Sequence, residues 1–225
     1  MKKPAATPGT PATRKPRGRP RSFDRDAALA AAMDVFWEKG FEATSITDLT
    51  EAMGINPPSL YSAFGDKEKL FLEAIDSYSK RRGESCPYCE EPTARQAIEK
   101  LLTFMAHDLT ESSHPRGCLM MMAAATSSNT SAALQKALTQ KRVASRDNLR
   151  NRIKRGIEEG DVPQGTDAAA LADFYSTIMT GMAMQARDGA ARKSLLATVA
   201  QAMSLFPKVV GKKGARRPEA ETAGA

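Results

Sequence analysis

The stretch from Thr44 to Phe64 constrains this chain more than any other. Ile46, Leu49 and Met53 recur at steps of three and four, which predicts a short helix over about 45–53, with Thr44 as its N-cap. Gly54-Ile55 then reads as a tight turn. Asn56 is placed to cap a second helix. Pro57 suits the first helical position, and Pro58 is tolerated in the same turn because its missing N–H is not needed there. Leu60 and Phe64 are four apart and are expected to bury against Ile46, Leu49 and Ile55. That leaves Ser59, Tyr61 and Ser62 outward. Two short helices joined by a glycine turn, with a third helix packed behind, form the helix-turn-helix plan. A tyrosine between two serines on the open face suits a helix that enters a major groove, since hydroxyls reach phosphates and base edges. The competing reading is a purely structural three-helix unit with a surface tyrosine.

The other long segments also carry helical period. Leu29, Met33, Phe36 and Trp37 share one face of a helix over 24–39 that Gly40 ends. Further helices are expected over 66–82, 93–110, 117–127, 130–159 (stopped by Gly160), 167–187 and 190–206. No strand pattern competes. Aromatics are few while Ala and Met, both helix formers, are abundant. The expectation is an all-α protein of about nine helices: a disordered basic arm (1–22), a helix-turn-helix domain (23–70), a helical ligand-binding and dimerisation domain (71–206) and a disordered tail (207–225). The longest apolar run, Cys118 to Ala125, falls far short of a membrane span. Residues 1–21 lack the apolar core of a secretory leader, so the expected location is cytoplasmic.

Charge is unevenly placed. The formal net charge is +7, yet residues 1–21 hold seven basic residues and no acidic one, and the tail adds more. Residues 24–70 hold nine acidic and four basic residues. A basic arm beside a helix-turn-helix points to nucleic acid, the competing reading being a merely solubilising tail. Arg17-Gly18-Arg19-Pro20-Arg21 resembles an AT-hook core. Gly and Pro keep such a segment thin and extended, and its arginines can enter a narrow A·T minor groove where negative potential is greatest.

The quoted motifs carry a family resemblance. Ala28-Leu29, the run from Phe36 to Ile46, Ala52-Met53-Gly54-Ile55, and Ser59 through Leu70 together resemble the DNA-binding domain of the tetracycline-repressor (TetR) family. The rest resembles the family in its order of helices. The resemblance implies that Thr44 and Lys67 donate to phosphates, that Tyr61 touches phosphate or a base edge, and that Asn56, Pro58, Ser59 and Ser62 face the groove. It also implies a dimer reading a palindromic operator in double-stranded DNA, and a small hydrophobic effector that releases it. Ala63 departs from the pattern, where a larger side chain often touches the backbone.

No catalytic constellation is present. The chain has no Gly-x-Ser-x-Gly, no His-Glu-x-x-His and no glycine-rich phosphate loop, and His107 and His114 are its two histidines. An enzyme is not expected, nor a cofactor. The later helices carry instead many methionines, a set whose plasticity suits either core packing or an apolar pocket. His107, Met121, Tyr175 and Met179 are the candidate pocket residues. Ala172, Thr180, Gly181, Met184, Leu196, Val199 and Met203 form a candidate dimer stripe on the last two helices. The basic helix at 130–159 is read as a solvated face rather than a second DNA surface. Cys86-Pro87-Tyr88-Cys89 has the spacing of a redox pair, which defines the alternative of a redox-sensing regulator. No second pair completes a zinc site, so no metal is expected.

Overall fold

A computed structural model of the chain describes residues 23–83, 90–121 and 131–209. The segments carrying Arg17–Arg21, Cys86 and Cys89 lie outside the described residues. Every regular element among the described residues is helical: α1 (Arg25–Lys39), α2 (Ile46–Met53), α3 (Pro57–Phe64), α4 (Lys67–Gly83), α5 (Ala94–Asp108), α6 (Ala132–Glu159), α7 (Ala168–Arg187) and α8 (Arg192–Ser204). Residues 119–121 open a further helical turn at the edge of a described segment.

The caps explain the element boundaries. Asn56 accepts from the Ser59 amide at 2.9 Å and has Pro57 and Pro58 directly after it. Gly54 ends α2 in the left-handed region at φ 63°, where a side chain would be strained. The start of α2 corrects the sequence reading. Ser45, not Thr44, is its N-cap, in a reciprocal box with Asp48: the Asp48 amide donates to Ser45 Oγ at 3.0 Å and the Ser45 amide to Asp48 Oδ2 at 2.8 Å. Thr44 instead turns inward and donates its hydroxyl to the Gly40 carbonyl at 2.6 Å, with 1% of its surface exposed.

α1 packs on both α2 and α4. Leu29, Met33, Phe36 and Trp37 are buried, as the periodicity of α1 predicted, and meet Leu49, Leu60, Phe64 and Phe71 in one apolar core. α6 lies along α7, and α5 packs against α6 and α8. Interhelical bonds hold α4 to this second layer. Glu68 accepts from the Ser131 amide and hydroxyl at 3.1 and 2.6 Å, and Asp76 pairs with Lys141. Arg146, Arg150, Arg152 and Arg155 likewise lie against carboxylates of the same chain.

The candidate dimer stripe divides in two. Ala172, Val199 and Met203 face inward and are buried within the protomer. Thr180, Gly181 and Met184 face outward, Met184 being 42% exposed. A 3.6-residue period separates these positions into two faces once α8 and α5 occupy one side of the sheaf.

Candidate nucleic-acid interface and effector cavity

The interface is built from the bottom of α3. Leu60 and Phe64 point into the core, so the opposite face is forced outward. Tyr61 is 49% exposed, and Pro58 and Ser62 are exposed beside it, while Ser59 is half-buried near its cap. The helix is held at both ends. Asn56 caps its start, and Arg25 of α1 grips its end: the guanidinium lies 4.4 Å from the Phe64 ring centroid and donates to the Ala63 carbonyl at 3.3 Å. Ala63 has no side chain to offer a phosphate, but its carbonyl is part of this anchor. The surface that results presents hydroxyls on a rigid helix.

The charged groups around α3 divide between structure and surface. Lys39 pairs with Asp48 at 2.7 Å, which draws the Asp48 carboxyl well below the usual carboxylate range. Lys67 sits 4.5 Å from the Phe41 ring centroid, and its partial burial lowers its pKa. Lys69 is far more exposed, at 71% of its side chain, and pairs with Asp66 at 3.0 Å. Thr44 is the clear correction among the candidate contacts. A buried residue whose hydroxyl proton already goes to Gly40 has no side-chain donor to present at the surface. Ser45, one residue on, is exposed and was missed, although Asp48 three residues after it gives the capping-box spacing that Thr44 lacks.

A separate cavity of about 310 Å³ lies between α4, α5, α6, α7 and the 118–121 segment. Its wall is mostly apolar: Leu101, Phe104, Met105, Met120, Met121, Ala144 and Met179. Polar groups gather on the α4 and α6 sides, from Tyr78, Ser79, Lys141, Ser145 and Asn148. Tyr78 donates to Cys118 Sγ at 3.3 Å, and the buried Ser79 hydroxyl has no hydrogen-bond partner among the described residues. Met121 and Met179 are therefore brought together on this wall, and His107 and Tyr175 are not. His107 is exposed on the outer face of α5, in an open groove with Gln96, Lys100 and Phe104. Tyr175 is fully buried between Phe174 and Phe206, donates to the Ala202 carbonyl at 3.2 Å, and has its pKa pushed up to about 12 by burial. It is packing between α7 and α8. Tyr78 escaped the sequence reading because its partner Cys118 lies forty residues away and Tyr78 belongs to no local motif.

No group of three or more metal-ligating side chains is assembled among the described residues. No helix among them is long and apolar enough to cross a membrane.

Comparison with known proteins agrees with this arrangement. Residues 28–74 match the family described as bacterial regulatory proteins, tetR family, and residues 94–204 match the tetracyclin repressor-like C-terminal domain. The transcriptional repressor ComR of Escherichia coli K12 is 35% identical over 208 residues, covering 91% of this chain and 99% of that protein. BdcR, another transcriptional repressor of the same organism, is 32% identical over 189 residues, covering 82% and 90%. Among solved structures, a cysteine-mutant form of the TetR family regulator CifR, complexed with a 26 bp double-strand operator DNA, superposes with a TM-score of 0.81 at 44% identity, covering 84% of this chain and all of that one. Both halves of the molecule thus match one family, and the chain belongs to the TetR family of transcriptional regulators.

Proposed function

We propose that the protein is a repressor that binds a palindromic operator as a homodimer and leaves it when a small apolar molecule occupies the cavity beside Met121 and Met179. The observation that carries the reading is the two-sided α3: one face is locked into the core by Leu60 and Phe64, and the other presents Tyr61 and Ser62 to solvent. Residues 23–70 form the reading unit and 71–206 the effector-binding and dimerisation unit. One such helix reads few base pairs, and two-fold pairing places two of them about 34–36 Å apart, one turn of DNA. The outward strip Thr180, Gly181 and Met184 on α7 is the seam we assign to the dimer.

The arm at Arg17–Arg21 supplies the charge that the reading unit lacks, since residues 24–70 carry more acidic than basic side chains. The cavity selects a small, mostly apolar effector with a hydrogen-bonding end, because its apolar lining is broken mainly along α4 and α6. Coupling through α4 follows from its bonds to α6 at Glu68 and Asp76.

Selection of bound fragments from a random DNA pool tests the reading. An inverted repeat with half-site centres about one helical turn apart is expected. A single unpaired half-site, or no sequence preference, would overturn it. A screen of apolar compounds for release of the selected DNA then identifies the effector class, and weakened release in a Met121→Ala variant, which removes apolar wall without filling the cavity, locates it.

A further inference from the structure

The last turn of α1 is held by a residue from the far end of the chain. Arg187, the final residue of α7, donates to the Trp37 carbonyl at 3.3 Å and to the Glu38 carbonyl. These are carbonyls of the last turn of a helix, which have no intrahelical partner, and a guanidinium is the natural cap for them. A parallel arrangement lies one step away. Arg116 donates from Nε to the Ala186 carbonyl at 2.9 Å and also bonds the Ala190 carbonyl, closing the end of α7. Between them sits Gly117 at φ 89°, and a Cβ there would meet the Ala183 carbonyl at 3.2 Å and Arg187 Cβ at 3.4 Å. Backbone and helix are in direct contact at this point, and only glycine fits without displacement.

These contacts form a short physical chain. Cys118, Met120 and Met121 line the cavity. Arg116 and Gly117, immediately before them, are fastened to the end of α7. The next residue of α7 beyond Ala186 is Arg187, which is fastened to the end of α1. A second contact reaches the same turn: the Tyr78 ring, on the cavity wall, meets the Trp37 ring edge-on at 5.0 Å. The end of α1 leads directly into Gly40, Thr44 and the start of α2, so its position sets the pitch of the DNA-reading helices.

We propose that Arg187 is a positioning residue for DNA recognition. It pins the end of α1 to the end of α7, so that a displacement of the 116–121 segment by a cavity occupant turns the reading helices relative to the dimer seam on α7. This rests on the effector-cavity reading above and adds a route to it distinct from α4. It also places the regulatory joint on the helix that carries the outward strip, so head orientation and dimer geometry share one element.

Two comparisons on the full-length protein test it. The first needs no occupant. Arg187→Gln removes the two-carbonyl cap while leaving the cavity wall untouched. Operator affinity should fall roughly fivefold or more, and amide exchange over 37–46 should quicken, while exchange in α5 and α6 stays unchanged. Arg187→Lys, which keeps the charge and a donating ammonium but not the guanidinium fork, should recover part of the loss and guards against a mere folding defect. Unchanged affinity and exchange in Arg187→Gln would overturn the proposal. The second uses Met179→Trp as a permanent occupant. Filling the cavity should weaken operator binding in the Arg187 protein and do so much less in the Arg187→Gln background. Equal fold-losses in both backgrounds would mean that the signal bypasses Arg187, which overturns the proposal and spares the cavity reading. No loss in either background would overturn the cavity reading and the transmission together.

Discussion

Arg25 in the first turn of α1 forms a two-pronged ion pair with Glu73 of α4, Nη1 to Oε1 at 2.5 Å and Nη2 to Oε2 at 2.8 Å. The same guanidinium lies over Phe64 and donates to Ala63, so one side chain ties α1, α3 and α4 together. Arg25→Ala should lower stability by about 1–2 kcal/mol, the combined size of a partly exposed bidentate pair and one cation–π contact. Thermal melting measures it. Arg25→Ala and Glu73→Gln should be less than additive in a double-mutant cycle, since each removes the same pair. Full additivity would show that the pair contributes nothing.

Tyr61 and the arm should fail in different ways. Tyr61→Phe removes one hydroxyl from the exposed face of α3 without touching the core, so the melting temperature should hold while operator affinity drops roughly threefold to tenfold. Deleting residues 1–21 should instead weaken binding to all DNA and flatten its salt dependence, by a slope of about 0.9 for each phosphate that the arm neutralises. Titration at several salt concentrations separates the two, and an unchanged slope would exclude the arm from the interface.

Gly156 is the position where a methyl group should do most harm. It lies in the last turns of α6, and a Cβ there would collide with Asp161 Oδ1 and lie 2.7 Å from Ala94 Cβ and 2.8 Å from Val162 Cγ2. On an open helix face Gly→Ala gains up to about 1 kcal/mol. Here overpacking reverses the sign, and Gly156→Ala should cost about 1–3 kcal/mol by denaturant unfolding. The clash also displaces Asp161, whose carboxylate accepts from the Ala94 amide at 2.5 Å and so completes the start of α5.

Gly181 makes the opposite case. Nothing lies within 4 Å of a Cβ built there, so a single protomer tolerates a side chain at this position. Gly181→Glu should keep its helix content yet sediment as a monomer, because it buries a charge in the proposed seam. A variant that remains a dimer would place the seam elsewhere.

Asp48 should shape the acid side of the stability curve. Its pKa lies below the ordinary 3.8, first because Lys39 donates to it and then because the Ser45 amide and hydroxyl do. A carboxyl depressed by folding contributes stability that is complete above its unfolded pKa and is lost as pH falls towards the folded one. The stability gap between the native protein and Asp48→Asn should therefore be constant from neutral pH down to about 5 and close below about 4. A gap that closes between about pH 8 and 6 would assign the effect to another group.

How much of this was legible in advance depended on the distance over which each signal acts. Asn56, Pro57, Gly54 and Gly160 mark helix ends through contacts within four residues of themselves, and the inward faces of α1 and α3 follow from a period of three to four. The sequence alone therefore determined an all-helical chain, its helix-turn-helix, and the outward direction of Tyr61. The tertiary structure decided everything that turns on which surface meets which. Thr44 is read as a surface residue until Gly40 claims its hydroxyl. His107 and Met179 are equally good lining residues until α5 turns one to solvent and α7 turns the other to the cavity. Arg187 acquires its role only when folding brings it to Trp37, 150 positions earlier in the chain. Local periodicity and capping carry no information about such pairings, because those depend on how whole helices pack against one another.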